Sequence, residues 1–201
     1  MDDKTNDSRE NYDKKAWDYD STPDGKYTLP FNRYLCEHVP LKEHDRILDV
    51  GCGNGRLLKM IMNKVKVEAY GIDVSEEMIK AAREDNHEIT YGVSEADKTP
   101  FEDSFFNVIT VCCAFHHFVN PEAFLREAHR ILRPQGKIYI ADPTAPGIIR
   151  HIENFYFARL KTGDVKIYSR AEMKDLFDRA NLGGFTYMTD GYKMIVEGCR
   201  T

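Results

Sequence analysis

Between residues 46 and 142 short apolar runs alternate with longer stretches in which apolar residues recur every three or four positions. "RILDV", "VEAYGIDV", "EITYGVS", "FNVITVCC" and "GKIYIAD" read as strands. The segments "GRLLKMIMNKV", "SEEMIKAARED" and "NPEAFLREAHRILRP" carry the helical period. Ser75 and Asn120 stand where N-caps belong, and Pro121 occupies a first helical position. Strands alternating with helices predict an α/β fold, a mostly parallel sheet with helices on both faces.

The flanks follow other rules. Residues 1 to about 21 are charged and read as a fraying start, with Tyr12, Trp17 and Tyr19 set among polar neighbours. "STPDGKYTLP" is rich in turn residues, and a short helix is expected over 31–38. After Asp142 the rhythm breaks into an irregular or helical insertion with clustered aromatics, among them Phe155, Tyr156, Phe157 and Tyr168. "SRAEMKDLFDRANL" is a helix capped by Ser169. "GFTYMTDGYKMIVEGCR" reads as two strands turned at Asp190-Gly191.

A chain of 201 residues, 42% hydrophobic, suits one domain. Its net charge of −5 argues against a nucleic-acid partner. No apolar run reaches the roughly 18 residues of a membrane span, and the polar start lacks a signal peptide's apolar region. A cytoplasmic location without membrane insertion is the expectation. Five cysteines without Cys-x-x-Cys spacing predict neither a disulfide framework nor a metal site.

The candidate chemistry lies in "ILDVGCGNGRLL". Gly51, Gly53 and Gly55 follow a strand end, where such sheets bind ligands. Asp73 ends the next strand, where a carboxylate can accept from ribose hydroxyls. A dinucleotide turn would carry a third glycine at the position of Arg56. Asp49, just upstream, suits a ligand bearing an ammonium group better than a pyrophosphate. S-adenosylmethionine (SAM) is therefore favoured over NAD.

"ILDVGCGNGR", "GIDVSEEMI", "SEADKTPFEDSFFNVITVCCAFHHF" and "EAHRILRPQGKIYIAD", in that order, resemble the class I SAM-dependent methyltransferases, particularly the small-molecule branch of the ubiquinone/menaquinone C-methyltransferases. The resemblance implies a Rossmann-like, seven-stranded sheet ending in an antiparallel hairpin. It implies that Asp49, Gly51, Gly53 and Asn54 lie at the methionine part of SAM and Asp73 at the ribose. Val74 and Met78 would pack on adenine, Glu95 and Ala96 would read its edge, and Cys112 would face the ammonium. Departures are Phe106-Asn107 for Phe-Asp, Thr99-Pro100-Phe101 for Leu-Pro-Phe, Pro134-Gln135-Gly136 for Pro-Gly-Gly, and Glu95 for a shorter acid.

The whole, 1–201, then reads as a single methyltransferase domain. Residues 1–40 form a cap or lid, 46–142 the SAM-binding core, 143–168 an insertion forming the acceptor pocket, and 169–201 the terminal helix and hairpin. The expected reaction is in-line methyl transfer to a small-molecule acceptor, in which the protein supplies mainly proximity and orientation. Neither an Asn/Asp-Pro-Pro-Tyr nor a Pro-Cys motif follows the fourth strand, which disfavours amino-group methylation of adenine or glutamine and cytosine C5 methylation. No catalytic residue is fixed; His117, His116 and His151 are the candidates. The alternatives are an NAD-dependent oxidoreductase and a non-catalytic SAM-binding or interaction subunit.

Overall fold

The computed structural model describes residues 3–157 and 159–201. Seven strands form one sheet: β1 (Arg46–Val50), β2 (Glu68–Asp73), β3 (Thr90–Val93), β4 (Phe106–Cys112), β5 (Leu132–Pro143), β6 (Leu182–Asp190) and β7 (Lys193–Arg200). Their order is β3-β2-β1-β4-β5-β7-β6. The first five pair in parallel, and β7 runs antiparallel between β5 and β6. The hairpin pairs Asp190 with Lys193, so its two loop residues are Gly191 and Tyr192, one position beyond the expected dipeptide. Gly191 has φ 59, at the position that a type II′ turn reserves for glycine.

Successive strand residues feed opposite cores, as a period of two demands. Leu48, Val50, Ile109, Val111, Ile138 and Ile140 face one side, under α5 (Pro121–Ile131) and α7 (Arg170–Arg179). Ile47, Val108, Tyr139 and Ala141 face the other, under α2 (Pro23–His38), α3 (Arg56–Met62) and α4 (Glu76–Asp85). The caps are Ser75 on α4, Asn120 on α5, and Ser169 with Glu172 in a capping box on α7.

The N-terminal region is more regular than its composition suggests. It holds α1 (Asp3–Asp13) and a 3-10 segment (Ala16–Ser21) before α2. The turn-like "STPDGKYTLP" lies largely inside α2. The Thr22 hydroxyl accepts from the Gly25 N–H at 3.0 Å, Pro23 takes the first turn, and Pro30 sits in the helix interior. An interior proline costs about 3 kcal/mol. Burial of Thr28, Phe31, Asn32 and Leu35 on one side of α2 offsets it. In the insertion, α6 (Gly147–Phe157) buries none of its residues. Within the described residues no helix is long and apolar enough to cross a membrane.

Candidate active site

β1 ends in a turn whose three glycines all have positive φ: 71 at Gly51, 52 at Gly53 and 77 at Gly55. The reasons differ. A Cβ on Gly51 would stand 2.4 Å from the Ala114 Cβ, and one on Gly55 would stand 2.0 Å from the Tyr91 hydroxyl. On Gly53 it would meet nothing nearer than the Met78 sulfur at 3.9 Å. Two glycines are thus required by packing, and the middle one leaves its side open to the cleft.

That cleft, about 310 Å³, is lined by Asp49, Gly51, Gly53, Asn54, Asp73, Val74, Met78, Glu95, Ala96 and Cys112, so the ten sequence-derived cofactor positions share one cavity. Asp73 spans the turn. Its Oδ2 accepts from the Gly53 N–H at 2.8 Å, and its Oδ1 accepts from the Ser75 N–H at 2.9 Å. Burial raises its pKa while these N–H groups pull it back down. A carboxylate has about four lone-pair directions, so acceptor capacity remains for ribose hydroxyls.

Asp49 is 1% exposed, with the Thr110 hydroxyl donating to its Oδ1 at 2.8 Å. Burial, reinforced by the Asp73 charge, pushes its carboxyl up to about 7 against the Thr110 hydrogen bond. None of its partners among the described residues is a cation. A buried carboxylate beside a glycine opening fits a positively charged ligand. Against a pyrophosphate at the turn, Asp49 would be repulsive, whereas Asp73, at the ribose position, suits either ligand.

Arg56 and Asn54, at the edge of the turn, line the cleft and also bond the N-terminal region. The Asp20 Oδ1 accepts from the Asn54 amide at 3.0 Å and from Arg56 Nη1 at 2.9 Å, and Arg56 Nη2 donates to the Thr28 hydroxyl at 2.6 Å. On the other side the Ser75 hydroxyl donates to Asp13 at 2.6 Å, and the Trp17 indole N–H donates to Glu77 at 3.2 Å. The N-terminal helices are thereby fastened across the cleft, to which they contribute Thr5, Ser8, Tyr12, Tyr19, Thr28 and Asn32.

The three candidate histidines separate. His117 lines the cleft, and its Nε2 lies 3.1 Å from the Tyr12 hydroxyl. Burial, aided by neighbouring His116, lowers its pKa to about 3. His116 turns into the core, with Nδ1 at 3.0 and 3.1 Å from the two oxygens of fully buried Asp142. Burial opposes its charge, but Asp142 and Asp164 together outweigh it and lift the imidazole to about 10. His151 is exposed on α6 and does not line the cleft, so the structure does not bring it to the chemistry.

The insertion stands apart from this cleft. No described residue of 143–168 lines the cleft. Phe155 and Tyr156 are exposed, while Tyr168 packs in the core on Phe115, ring centroids 5.2 Å apart. The loop after α6 instead braces α1: Lys4 donates to the Phe157 and Leu160 carbonyls at 2.6 Å, and the Gly163 position lies against the Ser8 backbone. The sequence reading missed Thr5, Ser8, Thr28 and Asn32 as lining residues, because small polar residues in a helix carry no sign of facing a ligand.

The methyltransferase domain family matches residues 48–140. Among curated relatives, the chain is 28% identical over 139 residues to the 27-O-demethylrifamycin SV methyltransferase of Amycolatopsis mediterranei, covering 66% of this chain and 51% of that one. It is 30% identical over 141 residues to the ubiquinone/menaquinone biosynthesis C-methyltransferase UbiE of Citrifermentans bemidjiense, covering 65% and 60%. The chain thus spans about half to three-fifths of the length of these relatives. A solved chain from the Haloferax volcanii complex of the Trm112 methyltransferase activator shares the fold with a TM-score of 0.80 at 21% identity, over 94% of this chain and 97% of that one. None of these matches supports the oxidoreductase alternative. Over this core the chain is similar to class I SAM-dependent methyltransferases.

Proposed function

We propose that the chain transfers the methyl group of SAM to a small, uncharged acceptor bound between the cleft and the N-terminal helices. The observation that carries this reading is the pair of carboxylates, Asp49 and Asp73, flanking a turn whose middle glycine opens to the cleft. The cofactor supplies a methyl group already activated on a sulfonium. Asp73 would take the ribose hydroxyls, Asp49 would face positive charge, and Val74, Met78 and Ala96 would form an apolar wall. The remaining work of the chain is to hold the acceptor in line and to keep water out.

Cys113, His117, Phe118, Tyr12 and Tyr19 also line the cleft. Burial holds the Cys113 thiol well above its usual range, which leaves it protonated and a poor nucleophile. His117 meets the Tyr12 hydroxyl through its Nε2, and together they give this part of the cleft a polar wall. No strong base is placed here, so the acceptor must bring its own reactivity, as a phenol, an enol or an electron-rich ring carbon does. The quinone and rifamycin acceptors in the relatives' names are consistent with that class.

The test is transfer of labelled methyl from SAM to a panel of hydroquinones, phenols and aliphatic amines. Transfer to a hydroquinone or phenol, with little to the amines, is the expected result. Tight SAM binding without transfer to any of them would favour the non-catalytic binding role instead. No SAM binding below millimolar concentration would remove the reading altogether.

A further inference from the structure

Behind the cleft, His116 Nε2 and His117 Nδ1 both turn toward one oxygen of Asp164, at 3.4 and 3.5 Å. These separations exceed the roughly 2.7–3.2 Å of a good N–H···O hydrogen bond. They match another geometry. With ligand bonds of about 2.0–2.1 Å, the edge of a tetrahedral zinc site is about 3.3–3.4 Å. All three donor atoms lie within 4.8 Å of one another.

The outer partners are those of a metal site. His116 Nδ1 is held by both oxygens of Asp142, which sets the ring with Nε2 turned toward Asp164, where a metal ion would displace the Nε2 proton. Ligating histidines characteristically give their second nitrogen to a carboxylate in this way. The Nε2 of His117 is taken by the Tyr12 hydroxyl at 3.1 Å, and the second oxygen of Asp164 accepts from the Thr162 hydroxyl at 2.5 Å. One atom remains over: His117 Nδ1 is buried and has no hydrogen-bond partner, although the Gly163 backbone lies near it. Among the described residues, the ion-pair partners of Asp142 and Asp164 are histidines, with no lysine or arginine.

We propose that His116 Nε2, His117 Nδ1 and a carboxylate oxygen of Asp164 bind a divalent transition-metal ion, zinc before others, with one coordination position left for solvent. Two imidazoles and one carboxylate suit zinc, cobalt, nickel and ferrous iron better than magnesium or calcium. The ion would pin three elements together: the 3-10 turn Phe115–His117, the loop after α6, and α1 through Tyr12. Methyl transfer is not needed for this inference, so the two stand or fall separately.

The test uses the full chain made without a histidine tag, stripped with chelator, and titrated with zinc chloride by calorimetry and with cobalt(II) by visible absorption. One ion per chain, a zinc Kd of micromolar or tighter, and the intense visible bands of tetrahedral cobalt are expected. Asp164→Asn and His117→Gln should each weaken zinc at least a hundredfold. Asp142→Asn should weaken it about ten- to a hundredfold through His116. His87→Gln, on an exposed residue, should change nothing. Zinc should also raise the melting temperature of the native chain but not of Asp164→Asn. If a variant fails to fold, the cobalt spectrum of the native chain decides. Absence of tetrahedral bands, or zinc binding that Asp164→Asn leaves unchanged, would overturn the proposal.

Discussion

The carboxylate of Asp73 ties the end of β2 to the glycine turn after β1, accepting from the Gly53 N–H at 2.8 Å. The same group therefore shapes the turn and lines the cleft. Asp73→Ala removes both the acceptor for ribose hydroxyls and the anchor of Gly53. Charge-assisted hydrogen bonds contribute about 1.5–3 kcal/mol each, so SAM affinity should fall at least tenfold by calorimetry. Asp73→Asn keeps the shape and one acceptor oxygen and should lose less. Equal affinity in Asp73→Ala and the native chain would remove Asp73 from the ligand site.

Asp49 makes cofactor binding depend on pH. Its carboxyl lies near 7 in the free protein, and a bound cation favours the charged form. Binding near neutrality should therefore release a proton. SAM affinity should rise about tenfold between pH 6 and 8 and level off above, and the binding enthalpy should vary with the ionisation enthalpy of the buffer. Stability of the free protein runs the other way. The folded pKa is raised above the usual carboxylate value, so the folded state holds the extra proton between about pH 4 and 7 and loses that advantage as pH rises. Asp49→Asn should flatten both profiles, raise the melting temperature of the free protein at pH 8 by about 2–4 °C, and weaken SAM. A native affinity that does not change with pH would contradict the assignment of Asp49.

How legible all this was in the chain depends on whether the signal is local. The five parallel strands, the caps at Ser75, Asn120 and Ser169, and the glycine turn are written in adjacent residues, and reading them placed the cleft. The helix through Pro30 was hidden because local propensity opposed it, while burial of Phe31 and Leu35 against the sheet outweighed that propensity. The role of the insertion is not legible for a related reason. Aromatics at Phe155 and Tyr156 announce a contact without saying with what, and the structure leaves them exposed. The grouping of His116 and His117 with Asp164 escaped because no spacing rule links a histidine pair to an acid on a distant loop.

The glycines of the turn should separate by experiment. Gly51→Ala places a methyl 2.4 Å from the Ala114 Cβ at φ 71, so both sterics and backbone oppose it. It should lower stability by about 2–4 kcal/mol, counting left-handed strain of about 1–2 and the remainder from overpacking. Gly53→Ala meets only the backbone cost, about 1–2 kcal/mol, because the space beside it is open. Its methyl would project toward the ligand, so SAM affinity should fall more than its stability. Thermal melts and calorimetry on the two variants read the contrast, and equal stability losses would show that the open side of Gly53 has no special role.

Arg56 gives the last prediction, and it bears on why this turn departs from a dinucleotide pattern. The guanidinium is 12% exposed in its side chain and joins Asp20 to Thr28. It thus fastens the N-terminal region to the start of α3 at the wall of the cleft. Arg56→Gly restores the third glycine of a dinucleotide turn, yet the Asp49 carboxylate still faces the cleft, so NAD binding should not appear. The loss should fall on closure. Breaking charged, partly buried hydrogen bonds costs about 1.5–3 kcal/mol, and residues before Pro23 should become sensitive to limited proteolysis. SAM should dissociate several-fold faster, because the helices covering the cleft are no longer held at Asn54 and Arg56. Asp20→Asn, which leaves Arg56 bonded to Thr28, should show the same changes in weaker form. Measurable NAD binding by Arg56→Gly would mean that the glycine spacing, and not the Asp49 carboxylate, selects the cofactor.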